Sequence, residues 1–174
     1  GSFIAGSAIL LSQDRRETPL SMLVHSTARV DIQKNYFHMI KVLIERWLSN
    51  AMVADNVDQL PEAILAERER LIATGVEAPT DEDFFIQTKY VLAEATPWLI
   101  NSLSDQKQVN WHIAPVHILV GGNKLDRGFT IEGLTVSYMN RPTSPQIDTM
   151  EQRARAFGYR DDLLPFCQFF STVR

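Results

Sequence analysis

Two short apolar runs separated by a glycine-rich, charged turn constrain this chain more than any other feature. The first, Val116 to Val120, stops at Gly121 and Gly122; the second, Leu134 to Met139, lies between Gly133 and the loop from Pro142 to Pro145. Runs this short, rich in β-formers and bounded by turn residues, predict buried strands. Two adjacent glycines let the backbone turn sharply and lie close to a bound group. Asn123, Lys124, Asp126 and Arg127 follow, then Gly128. Donors and exposed backbone N–H groups are therefore predicted just past a strand's carboxyl end, where α/β folds bind anions.

Three further segments read as strands: Ser21 to Thr27, Val109 to Ile113 and Phe166 to Ser171. With helices between them and connections long enough for parallel pairing, the expected fold class is α/β, three layers around a mostly parallel sheet. His25 and Ser26 fall at the carboxyl end of the first strand, where with Thr27 they can cap the next helix. That helix, Asp31 to Ser49, carries Ile32, Tyr36, Met39, Ile40, Leu43, Trp47 and Leu48 at the spacing of one buried face, with His38 among polar positions. An apolar helix from Phe3 to Arg16 is expected to pack on something ahead of it.

Residues 50–108 say least. Pro61 opens a charged helix that Gly75 closes, Thr80 and Asp83 start another, and Pro97 is expected to break or kink it. Two helices exceed what one crossover needs, so a helical insertion is expected at about 50–108. The expected division is a helix and linker over 1–20 belonging with a preceding region, and a lobe over 21–174 that is cut short at its carboxyl end.

A chain of 174 residues with 45% hydrophobic content can bury one sizeable core. A net charge of −4 limits nucleic-acid binding to local contacts. The single cysteine, Cys167, sits in the apolar run PFCQFF and reads as a core thiol, in keeping with a reducing cytoplasm. No apolar run is long enough to span a bilayer, so no membrane partner is expected. His112 and His117 have no Cys, Asp or Glu companion at ligand spacing, so no metal site is expected. Trp111 reads as a core or edge aromatic, since no basic residues interleave with it.

Asp148 to Phe157 reads as a short helix in which Gln152 and Arg155 share a face, with Gly158 ending it before Arg160. A guanidinium just past a helix end can reach a phosphate supplied from outside, through two parallel hydrogen bonds and a permanent charge. The competing reading is a solvated face paired with Asp148, Glu151, Asp161 and Asp162.

The order strand, glycine turn, Arg-Gly, strand, Gln/Arg helix resembles motifs V and VI of the second RecA-like lobe of superfamily-two helicases. More closely, GGNKLDRGFTIEGLTVSYMNR with QRARAFGYR resembles the helicase-associated Z-one domain family, which carries an endonuclease name. That family's pattern is close to GGNKLSRGLTLEGLTVSYF followed by QMGRWFGYR. The likeness is dense over 117–160, weaker at SMLVHST and absent from the middle; Ala154 and Ala156 stand where the family has Gly and Trp. It implies a RecA-like carboxyl-terminal lobe of a nucleic-acid-dependent ATPase tied to restriction or DNA processing. Arg155 and Arg160 would be its catalytic arginines and Gln152 would orient the nucleotide or the attacking water's surroundings. Gly121, Gly122, Asn123, Lys124, Arg127 and Gly128 would couple nucleotide to nucleic-acid backbone, while His25 and Ser26 would face the cleft or the nucleic-acid path. ATP and Mg²⁺ would be held mainly by another lobe, because no Gly-x-x-x-x-Gly-Lys-Ser/Thr occurs here; the isolated chain is then expected to be inactive. The implied partners are DNA or another nucleic acid and the amino-terminal helicase lobe. Two alternatives stand beside this: a non-catalytic clamp, and a nuclease, for which Asp126, Glu132 and Asp148 form no carboxylate cluster with an adjacent lysine.

Overall fold

The computed structural model describes residues 1–13, 19–27, 29–101, 109–122, 131–140 and 162–171. Its centre is β1, Leu20–His25, which pairs on one side with β3, Val116–Gly121, and on the other with β4, Leu134–Met139. β2, Ala95–Ile100, adds to β3, and β5, Gln168–Ser171, adds to β4. The order is β2-β3-β1-β4-β5 and every pairing is parallel. The expected three-layer α/β class is met, with a wholly parallel sheet among the described strands where a mostly parallel one was read.

Four helices fill the connections: α1, Ser2–Ser12; α2, Val30–Val53; α3, Glu62–Ala73; and α4, Asp81–Glu94. Apolar side chains of all four share one cluster with Leu20 and Val24 of β1, Val116, Ile118 and Val120 of β3, and Val136 of β4. Strand side chains alternate between faces, so these residues mark one face of the sheet. Leu23 and Leu119 point to the other, as does Leu134, which a register shift between β1 and β4 sets apart from Val136; Ile100, Val109, Trp98, Trp111 and Ile131 join them.

α1 is apolar all round, and a helix of that kind is stable only when covered on every side. Phe3 to Leu11 are all buried, against α3, α4 and β4. The expectation that this helix packs on something ahead of it gives way to packing inside this core.

Local chemistry explains most other ends. Thr80 caps α4, its hydroxyl accepting from Asp83 N at 3.1 Å. Pro61 stands just before α3, and Pro165 begins a short 3₁₀ turn, Leu164–Phe166, ahead of β5. Gly133 enters β4 with φ +60°, and a Cβ there would run into the Pro19 carbonyl.

Three readings are corrected. The strand expected over Val109 to Ile113 is a turn, and the strand that adds to β3 at one edge of the sheet is Ala95–Ile100. Pro97 kinks no helix: α4 stops at Glu94, three residues ahead of it, and Pro97 itself lies in an edge strand, where only one side of the backbone has to pair. The stripe on α2 is narrower than its spacing suggests: Ile44 and Ala51 are buried, whereas Met39 is 64% exposed and Leu43 41%. Cys167 is half-buried, its thiol donating to Leu163 O at 3.4 Å, and burial pushes its pKa up. Among the described residues no helix is long and apolar enough to cross a membrane.

Candidate functional site at the carboxyl edge of the sheet

In a parallel sheet all the carboxyl ends lie along one edge, and ligands bind where neighbouring strands send their connections in opposite directions. The chain leaves β1 toward β2 and leaves β4 toward β5, so that point falls between β1 and β4. There Asn140 N donates to His25 O at 3.0 Å, and Asn140 Nδ2 donates to the Tyr36 hydroxyl. Tyr36 comes from the second turn of α2, which starts only five residues past β1. Burial raises the Tyr36 pKa, with a smaller contribution from Tyr138, so its hydroxyl stays protonated.

On the other side of β1 the glycine turn is seated on the strand's polar end. Ser26 N donates to Gly121 O at 2.9 Å and the Ser26 hydroxyl donates to the same oxygen at 3.3 Å. Gly122 could not be another residue without movement, because a Cβ would lie 2.5 Å from Gln33 Nε2 and 2.6 Å from Thr27 O. Gln33 closes the arrangement: its Nε2 donates to Thr27 O at 2.8 Å, and its side chain is 3% exposed. Side chains on a helix tilt toward its amino terminus, which is how a residue in the first turns of α2 reaches back to the strand end.

Arg29 and Asp31 flank this edge as an exposed ion pair at 2.7 Å, which holds the Asp31 carboxyl below its ordinary range. At 71% and 62% exposure the pair does little for stability. The described edge is thus lined by amide, hydroxyl and imidazole groups and by close-packed backbone. It fixes the glycine turn on the end of β1.

The family model for the Z1 domain matches residues 1–174, the whole chain. The chain belongs to the Z1 domain family. No curated protein and no solved structure matches it.

Within this Z1 domain, four of the sequence-derived site residues come together at the edge: His25, Ser26, Gly121 and Gly122. Their strand ends are in register, His25 beside Gly121. Asn123, Lys124, Arg127, Gly128, Gln152, Arg155 and Arg160 lie outside the described residues. Three contributors were missed from sequence: Gln33, Tyr36 and Asn140. Tyr36 had been counted only as part of an apolar stripe. Gln33 sits one residue from Ile32 in a polar stretch, and only the fold shows that it is buried. Among the described residues no group of three His, Cys, Asp or Glu side chains could hold a metal ion.

Proposed function

We propose that this Z1 domain is the second, RecA-like lobe of a nucleic-acid-dependent ATPase of helicase type, working in restriction or DNA processing. The observation that carries this reading is the seating of the Gly121-Gly122 turn on the end of β1, beside the point where the connections of the sheet diverge. In this reading Asn123, Lys124 and Arg127, which follow that turn in sequence, would couple nucleotide to nucleic-acid backbone. Arg155 and Arg160 would neutralise charge on the γ-phosphate and Gln152 would orient the nucleotide. An arginine in that role contributes about 10³ to 10⁵ in rate. ATP and Mg²⁺ would be held by the companion amino-terminal lobe, and DNA or another nucleic acid by local contacts along this edge, including His25 and Ser26.

The test is nucleic-acid-stimulated ATP hydrolysis by the longer parent chain, with Arg155→Ala and Arg160→Ala beside wild type. A loss of turnover of at least about 10³ with nucleotide binding retained supports the arginine role. Unchanged turnover in both variants overturns it. The Ala154 and Ala156 departures favour a second reading, a non-catalytic clamp, and absence of hydrolysis in the wild-type parent would select it.

A further inference from the structure

Gln33 bonds twice to the connection between β1 and α2. Its main-chain N–H donates to Arg29 O at 3.1 Å and closes the first turn of the helix, while its side-chain Nε2 donates to Thr27 O at 2.8 Å. The carboxamide is therefore held from the helix side. On its other side stands the glycine turn, and only the missing Cβ of Gly122 leaves room for Nε2 there. One side chain thus lies between two connections that are far apart in the chain.

The far end of that side chain is unmatched. Gln33 is buried, and its Oε1 accepts no hydrogen bond. The polar groups beside it are satisfied: Thr27 Oγ1 accepts from Arg29 N at 3.1 Å, and the Ser26 hydroxyl donates to Gly121 O at 3.3 Å. A buried acceptor without a donor costs stability, and an apolar side chain of the same length would fill the place without that cost. Packing alone does not account for an amide at this position.

We propose that Gln33 is a positioning residue, which ties the seat of the Gly121-Gly122 turn to the start of α2 and carries the occupation of one to the other. The inference rests on the helicase-type reading above, in which the glycine turn answers to nucleotide and the end of β1 to nucleic acid. A shift of α2 or of the β1 end moves the carboxamide, and Gly122 must follow, because Gln33 Nε2 and Thr27 O are the atoms packed closest against it. Oε1 is then the acceptor that a main-chain N–H of the shifted turn takes up. Gln33 touches neither nucleotide nor nucleic acid in this account; it acts through Gly122.

The experiment is steady-state ATP hydrolysis by the longer parent chain, titrated with single-stranded DNA and, in parallel, single-stranded RNA. Gln33→Met keeps the length of the side chain and removes both ends of the amide; Gln33→Leu repeats the test, so that the result does not hang on one variant. The expected result in both is a fall in kcat at saturating nucleic acid of at least about tenfold, with KM for ATP and the half-saturating nucleic-acid concentration within about twofold of wild type. Melting temperatures should stay close to wild type, because removal of the unmet acceptor offsets loss of the Thr27 bond. A stimulated wild type with equally stimulated variants overturns the inference and leaves the helicase-type reading standing. Variants that lose their fold, or melt far lower with unchanged kinetic constants, make Gln33 a structural residue and also overturn it. A wild-type parent that hydrolyses no ATP with either nucleic acid overturns the inference and the reading together.

Discussion

The two faces of the sheet are held by different kinds of interaction. On the helix-covered face, β1, β3 and β4 present Leu20, Met22, Val24, Val116, Ile118, Val120, Val136 and Tyr138, nearly all apolar, into one large cluster. On the opposite face, Leu23 and Leu119 alternate with buried polar groups: Ser21, His25, His117 and Ser137. The first face needs only volume and apolarity, and it tolerates many sequences. The second needs specific partners. The Ser21 hydroxyl donates to Glu132 O at 2.6 Å, and His117 accepts from Trp98 Nε1 at 2.9 Å while its other nitrogen faces Ala114 O at 2.8 Å. Apolar packing supplies bulk stability; the polar face fixes register.

The contrast can be broken most forcefully from the helix side. Phe84 is fully buried on α4, and Phe84→Ala removes a ring and leaves a cavity, so a loss of about 3–5 kcal/mol is expected in urea unfolding. A loss below about 1 kcal/mol would show that the helices are not held by this cluster.

A smaller loss is expected on the polar face from His117→Phe, which strands the Trp98 N–H and costs about 1–3 kcal/mol. This variant also sharpens the comparison through pH. Burial lowers the His117 pKa from its ordinary 6.5, against opposing contributions from the Trp111 and Ala114 carbonyls and the Glu132 charge. The unfolded chain therefore binds the proton more readily. The stability held by neutral His117 is full above 6.5 and is lost as pH falls from there through the lower folded value. Unfolding measured at about pH 7.5 and 5.5 should show a larger acid-side loss in wild type than in His117→Phe. Equal losses would place the titrating group elsewhere.

The smallest effect belongs to Ser21→Ala, about 1 kcal/mol, because one hydroxyl bond is lost and the Glu132 carbonyl is left without that donor. Thermal melting suffices to detect it.

The same division governs what could be read from sequence. β3 and β4 were legible because they are short apolar runs closed by glycines, and α4 because Thr80 and Asp83 form its cap. β2 was hidden by Pro97, a residue that breaks helices and central strands alike but is harmless on an edge. α2 misled because an apolar residue at helical spacing need not be covered: Met39 and Leu43 extend past what the sheet and α4 can reach. Of the site, the glycine turn and the polar end of β1 stood out as composition. Gln33, Tyr36 and Asn140 did not, because their roles depend on where α2 starts and on which strands flank β1.

The position of β1 also shapes how the chain is made. Its neighbours are β3 and β4, both made long after it, so Leu20 waits for Val116 and Ser21 for Leu134. At ordinary elongation rates that leaves the central strand of the sheet unpaired on the ribosome for about 5–20 s. Over that interval α1 and α2 can form, but the strand they will cover has no partner, and closing such long loops is slow. A nascent Z1 domain therefore passes through a period in which an apolar strand is presented to the cell, and holding factors that bind extended apolar segments should raise its yield of folded protein.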